Sequence, residues 1–134
     1  TEEEAYEEIE ERLGILALRL GYKPKGMELK EVHISDDMGE AQMEFNYEEF
    51  TLRIYENKQI KDSTFDAQLD GKIIDKINTF HYENEVDILE INRDEEISSF
   101  AVQLEEGNAY YLVTSNLELG KFKEIIQGIF FISI

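Results

Sequence analysis

The stretch from Phe100 to Phe131 constrains the fold more than any other. Phe100, Val102 and Leu104 alternate with Ala101 and Gln103, the two-residue period of a strand. Glu105-Glu106-Gly107 follows, and then a second strand-forming run, Asn108-Ala109-Tyr110-Tyr111-Leu112-Val113-Thr114. A three-residue loop built on a type I turn needs a left-handed residue in third place, which Gly107 adopts without a Cβ clash. That register sets Val102 opposite Tyr110 and Phe100 opposite Leu112. The chain then enters a predicted helix over about Leu117 to Ile132, with Asn116 as its N-cap. Phe122, Ile125, Ile126, Ile129 and Phe130 recur there at i, i+3, i+4, i+7 and i+8. A hairpin running into an amphipathic helix implies a sheet with one apolar face for the helix to cover.

The rest of the chain supplies more of the same parts. Tyr6, Ile9, Leu13, Leu16, Ala17 and Leu20 predict an amphipathic helix over residues 2–20. Gly14 weakens its middle, and Gly21 is placed to end it in a left-handed cap. Tyr22 to Gly26 reads as a turn around Pro24. A strand follows over about Glu28 to Ser35, with a bulge or a late start expected between Leu29 and Val32, where the apolar phase changes. Asp36-Asp37-Met38-Gly39 is turn chemistry. Ala41, Met43, Phe45 and Tyr47, then Phe50, Leu52 and Ile54, form the cleanest alternating pair. An even-length loop at Glu48-Glu49 puts both sets on one face. Asn57 to Lys72 is polar and reads as a loop with a short strand or turn, and Asp70-Gly71 reads as a tight turn. Two further strands are predicted, Ile73 to Tyr82 and Val86 to Asn92, the second apolar on both faces as an interior strand would be. Arg93 to Glu96 is a charged connection. The expectation is one α+β domain over residues 1–134. It holds a mainly antiparallel sheet of about six strands, spanning about residues 28–114, with the N-terminal and C-terminal helices packed on one face.

Composition narrows the chemistry. The formal net charge is −18, from 31 acidic and 13 basic residues, which argues against nucleic acid and against a basic patch on anionic lipid. There is no cysteine, so disulfides, thiolate nucleophiles and Cys-bound zinc are excluded. His33 and His81 are the only histidines, too few for a His-rich catalytic zinc site, and read as ordinary strand residues. No serine sits in a Gly-x-Ser-x-Gly elbow. Carboxylates are so abundant that sequence cannot pick out a catalytic pair. Asp36-Asp37-Met38-Gly39-Glu40 and Asn92-Arg93-Asp94-Glu95 gather oxygen ligands, but neither has EF-hand spacing. No catalytic residue, cofactor or metal ligand is therefore assigned. The candidate binding surface is Tyr47, Tyr55, Tyr110 and Tyr111 on predicted strands, since tyrosine offers contact area and a polar tip at low entropy cost.

Two blocks carry a family resemblance. One is Leu20-Gly21-Tyr22-Lys23-Pro24-Lys25-Gly26-Met27-Glu28-Leu29, a tyrosine–x–proline–x–glycine lead-in to a first strand. The other is Tyr110-Tyr111-Leu112 followed by Leu117 to Phe130. Over about residues 20–131 the chain resembles the family known as domain of unknown function 4367, many members of which carry an aromatic, often Trp, at the position of Gln103. Members usually form the extracytoplasmic end of membrane-anchored proteins of Gram-positive bacteria, some with an anti-sigma-factor-like segment inside the cell. The resemblance implies an outside-facing sensory or regulatory domain with no catalysis assigned. Its partner would be a protein, peptide or envelope component, and membrane contact would come only through an anchor upstream of this fragment. The start at Thr1 and the acidic first helix fit an excised soluble portion. The rival readings are an envelope-acting hydrolase using unidentified carboxylates and a structural spacer.

Overall fold

The computed structural model describes residues 1–58, 71–82, 85–91 and 99–132. Helix α1 (Glu2–Leu13) is followed by β1 (Arg19–Leu20), β2 (Glu28–Ser35), β3 (Glu40–Tyr47), β4 (Phe50–Lys58), β5 (Gly71–Ile77), β6 (Val86–Ile91), β7 (Ser99–Glu106) and β8 (Ala109–Ser115). Helix α2 (Leu119–Gln127) and β9 (Ile129–Phe130) complete the described elements. β2 to β8 form one seven-stranded sheet in the order β2-β3-β4-β8-β7-β6-β5, and β1 pairs with β9 in a separate two-stranded ribbon. All the described pairings are antiparallel. The fold is thus mostly antiparallel sheet with one helix near each end of the chain, and the main sheet has seven strands rather than about six. The predicted loop from Asn57 divides: Asn57 and Lys58 extend β4, Gly71 and Lys72 open β5, and the intervening part lies outside the described residues, as does the Arg93 to Glu96 connection.

Alternation sets the inner face. Phe45 pairs with Leu52 and Met43 with Ile54 across the two-residue Glu48-Glu49 loop, as the even-length loop requires. All four are fully buried, and Glu48 takes the positive φ of 55° that the tight turn demands. The β2 bulge falls between Leu29 and Glu31, where the apolar phase changes.

The closing hairpin departs from the predicted register. Val102 pairs with Val113, Leu104 with Tyr111 and Phe100 with Ser115, across a two-residue Gly107-Asn108 turn. Gly107 has φ 59° at the first central position, and Asn108 has no positive φ, which is the type II′ pattern. This turn matches strand twist better than the three-residue loop. Because side chains alternate, the slip exchanges faces. Ala109, Tyr111 and Val113 point into the core, while Tyr110 and Leu112 turn to the other side. β6 is also less enclosed than an interior strand covered on both faces: Val86 and Ile88 are buried, but Leu89 and Ile91 are half-buried.

The first helix stops at Leu13, not at residue 20. Gly14 adopts φ 68° and its N–H bonds to the Glu10 carbonyl, so this glycine is the left-handed cap. Thr1 caps the other end by accepting the Glu4 N–H, with Glu2, Glu3 and Glu4 in the first turn, where the helix dipole favours them. Residues 15–20 run extended instead, with Ile15, Ala17, Leu18 and Leu20 buried. Gly21 serves close approach rather than capping: its N–H bonds to the Gly128 carbonyl at 2.9 Å. A Cβ at Gly21 would lie 2.5 Å from that oxygen. Gly21→Ala is therefore expected to prise β1 from β9 and cost roughly 1–3 kcal/mol, read from the denaturant midpoint.

Helix α2 is shorter than predicted, Leu119–Gln127, because Gly128 ends it and Ile129–Phe130 turns out to pair with β1. Its N-cap position is Glu118, which makes no side-chain cap bond. Asn116 accepts the Thr51 N–H at 2.9 Å instead, tying the approach to the helix onto β4. Buried side chains of both helices, Tyr6, Ile9 and Leu13 from α1 and Phe122, Ile125 and Ile126 from α2, join one apolar cluster with the inward residues of the sheet. Among the described residues no helix is long and apolar enough to cross a membrane.

Candidate functional site

The pairing registers place His33, Gln42, Tyr55, Leu112 and Gln103 in one row across β2, β3, β4, β8 and β7. None of these is an inward position, so the row lies on the outer face of the sheet. At the β2–β3 end of the row is an open concavity of about 440 Å³, lined among others by His33, Ser35, Glu40, Gln42 and Tyr55. Asn57 Nδ2 donates to Glu40 Oε1 at 2.7 Å, fixing that carboxylate at the rim. His33 Nε2 and Glu31 Oε1 are 2.8 Å apart, and both side chains are more than half exposed. Ser35 Oγ accepts the Met38 N–H at 3.3 Å. A hydroxyl, an imidazole, an amide, a carboxylate and an aromatic ring thus share one wall. This set can hydrogen-bond a polar ligand and stack against an apolar part of it. Ser35, His33 and Glu31 stand on one strand face, but no hydrogen bond joins Ser35 to His33, so they lack the nucleophile–base contact of a hydrolase triad.

The four tyrosines named from sequence are divided by the sheet. Tyr55 and Tyr110 lie on the outer face of neighbouring strands, Tyr55 across from Leu112 and Tyr110 across from Asn57. Tyr47 shares the inward parity of Phe45, is half-buried, and lies with its ring 5.7 Å from Lys121 Nζ. Tyr111 is 1% exposed, and its hydroxyl donates to the Leu16 carbonyl, so it is a core residue and not part of a binding surface. Gln103 is exposed in the same row. Sequence reading missed His33 and Gln42 as site residues. Their signal was the matching parity of β2 and β3, which only the pairing turns into proximity.

A second cluster lies on the inner face. Glu56 continues the inward series Phe50, Leu52, Ile54, directly across from Tyr111 and Ala41. It is fully buried. Its Oε1 accepts the Leu18 N–H at 2.7 Å, while Oε2 has no partner among the described residues. Burial pushes its carboxyl up from 4.5 to about 8, with Glu10 adding to the rise and the Leu18 bond and Arg19 opposing it. Arg19, 5% exposed, is held by Glu3 at 2.7 Å and Glu10 at 3.1 Å and lies over the Tyr6 ring. Glu56 is not among the residues the sequence motifs mark, although a glutamate at an inward position of a clean alternation is a visible signal. Among the described residues no group of three or more His, Cys, Asp or Glu is arranged to hold a metal ion.

An antiparallel α+β domain with a polar concavity at the β2–β4 end of its sheet, and a buried carboxylate, Glu56, among the residues that line it, is the class that fold and sites define. The chain belongs to the family described as Domain of unknown function (DUF4367), whose profile matches residues 17–129. The match takes in the whole seven-stranded sheet and α2 and leaves out α1. Comparison with curated proteins gives no match.

Proposed function

We propose that this chain is a non-enzymatic sensory or regulatory domain that binds a protein, peptide or envelope ligand on the outer face of its sheet. In this reading both helices pack on the inner face and leave the outer face to the ligand. The domain works outside the cytoplasm, as the soluble part of a membrane-anchored protein of a Gram-positive bacterium. That setting is what the resemblance to members of the family implies. The observation that carries the binding reading is the concavity of about 440 Å³ walled by His33, Ser35, Glu40, Gln42 and Tyr55. A full-length gene product with a membrane-spanning helix ahead of Thr1 would support the location, and a methionine-initiated cytosolic chain would end it.

The test is a titration of the labelled domain with short peptides and with soluble cell-wall fragments, followed by amide chemical shifts. Saturable shifts are expected at His33, Gln42 and Tyr55. Tyr55→Ala and Gln42→Ala should each weaken binding by roughly tenfold, the size of a modest interface anchor, with the circular dichroism spectrum unchanged. Saturable shifts elsewhere, indifferent to both substitutions, would move the site off this face. Turnover of a wall fragment during the titration would replace the binding reading with a hydrolase.

A further inference from the structure

The segment over residues 15–20 has an unusual way of satisfying its backbone. It crosses the inner face between α1 and the sheet, and beyond the pairing of Arg19 and Leu20 with β9, side chains do the work that helix or strand partners ordinarily do. Glu10 Oε2 accepts the Ala17 N–H at 3.0 Å, Glu56 Oε1 the Leu18 N–H at 2.7 Å, and the Tyr6 hydroxyl the Leu20 N–H at 3.3 Å. The Tyr111 hydroxyl donates to the Leu16 carbonyl. Of these four, Glu56 is the one that is both ionisable in the neutral range and fully shut from solvent.

We infer that Glu56 is a proton-operated latch: its neutral carboxyl holds the residue 15–20 segment, and with it α1, against the sheet, and its ionisation loosens that hold. The physical reason is the unpartnered Oε2. A neutral carboxyl can leave one oxygen unpaired in an apolar site at modest cost, but a carboxylate there needs further donors or water. The charged and titratable groups facing it are Glu10 and Tyr6 from α1, Arg19 from β1 and Tyr111 from β8. Glu10 repels a charge on Glu56. Arg19 attracts one but is already shared between Glu3 and Glu10. Tyr6 and Tyr111 are both held well above the ordinary phenol range, by burial first, so they remain neutral throughout. Opening the segment lets water reach Glu56, so ionisation and opening are the same event seen from two sides. Glu56 has inward parity, opposite to the His33–Tyr55 row, but it also contributes to the lining of the concavity, so the latch borders the proposed ligand site.

Amide exchange across pH, corrected for intrinsic rate, tests the latch, together with carboxyl ¹³C titration of Glu56 in the unaltered chain. The opening constant of the Leu18 and Leu20 amides should rise about tenfold per pH unit between about pH 5 and 8, because one proton is released per opening. In Glu56→Gln it should be flat. At every pH these amides should exchange at least roughly tenfold faster than those of Ile54 and Val113, as a locally opening segment does. Equal protection of segment and sheet would mean the chain opens only as a whole, and would overturn the latch. So would an unchanged pH profile in Glu56→Gln. If that variant does not fold, the carboxyl titration decides: a midpoint in the neutral-to-alkaline range sustains the latch, and one in the ordinary carboxylate range overturns it.

Discussion

Ile126→Ala is expected to lower the stability of the domain by roughly 2–5 kcal/mol, the cost of deleting a buried aliphatic side chain together with the cavity it leaves. Ile126 is fully buried, as are its neighbour Ile125 and Phe122 one turn away, and the Phe122 ring stacks on Phe100 of β7 at 6.1 Å. The site therefore has rigid neighbours and little room to collapse. A domain of this size has about 5–15 kcal/mol of net stability, so the loss is a large fraction of it. Two substitutions on the same helix serve as controls. Lys123 pairs with Asp75, but both side chains are about one-third exposed, so Lys123→Ala should cost no more than about 1 kcal/mol. Gln127→Ala removes a half-buried side chain, while the residue's backbone carbonyl keeps its bond from the Phe80 N–H. Denaturant melts of the three variants decide. An Ile126→Ala midpoint equal to the parent's would mean that α2 is undocked in solution and that its apolar face is open to a partner.

Stability should fall as pH rises from about 5 to 8, the reverse of ordinary acid denaturation. Glu56 keeps its proton in the folded chain up to about pH 8, against an ordinary value of 4.5. Between those values the folded state binds more protons than the unfolded state, so raising the pH favours unfolding. The contribution is fully present below 4.5 and is lost as pH passes through about 8. At about 1.36 kcal/mol per pKa unit, the ceiling on the change is roughly 4–5 kcal/mol. Opening of the residue 15–20 segment, which wets the carboxylate without unfolding the sheet, brings the realised drop to about 2–4 kcal/mol. Glu4, Asp36 and Asp75 have the opposite sign. Thr1, Arg12 and Lys123 respectively hold their carboxyls below the usual range, so their stabilisation is lost only as pH falls into the acid region. The two windows are separate. Chemical melts at pH 5 and pH 8 should therefore show the drop in the parent and a nearly flat profile in Glu56→Gln. A parent more stable at pH 8 than at pH 5 would contradict the argument.

Legibility varied with how local the governing contact is. The β3–β4 pair was readable because Phe45 and Leu52 must face the same way and a two-residue loop leaves one register. The β2 bulge was readable because the phase of its apolar residues changes within the strand. The closing hairpin was not, since Gly107 suits either a three-residue or a two-residue turn. That single ambiguity decided which of Tyr110 and Tyr111 became core. The candidate surface suffered accordingly: Tyr55 was placed where it can line a concavity, whereas its partners His33 and Gln42, on neighbouring strands joined by short turns, carried no chemical pattern that marked them.

The sequence by itself determined the class: alternating apolar runs and two amphipathic stripes admit an antiparallel sheet with terminal helices, and the Leu20 to Leu29 and Tyr110 to Phe130 blocks carry the family. The tertiary structure decided where α1 ends and what Glu56 does. The six residues after Gly14 have apolar groups at helical spacing, but so short a stretch cannot hold a helix by itself. In the fold, Glu10, Glu56, Tyr6 and Tyr111 offer it side-chain partners up to ninety-five positions away in the chain, and burial of Ile15, Leu18 and Leu20 completes the extended path. The same closure removes water from Glu56. The alternation Leu52, Ile54, Glu56 marks the inward position, but the altered proton affinity is a property of the assembled core.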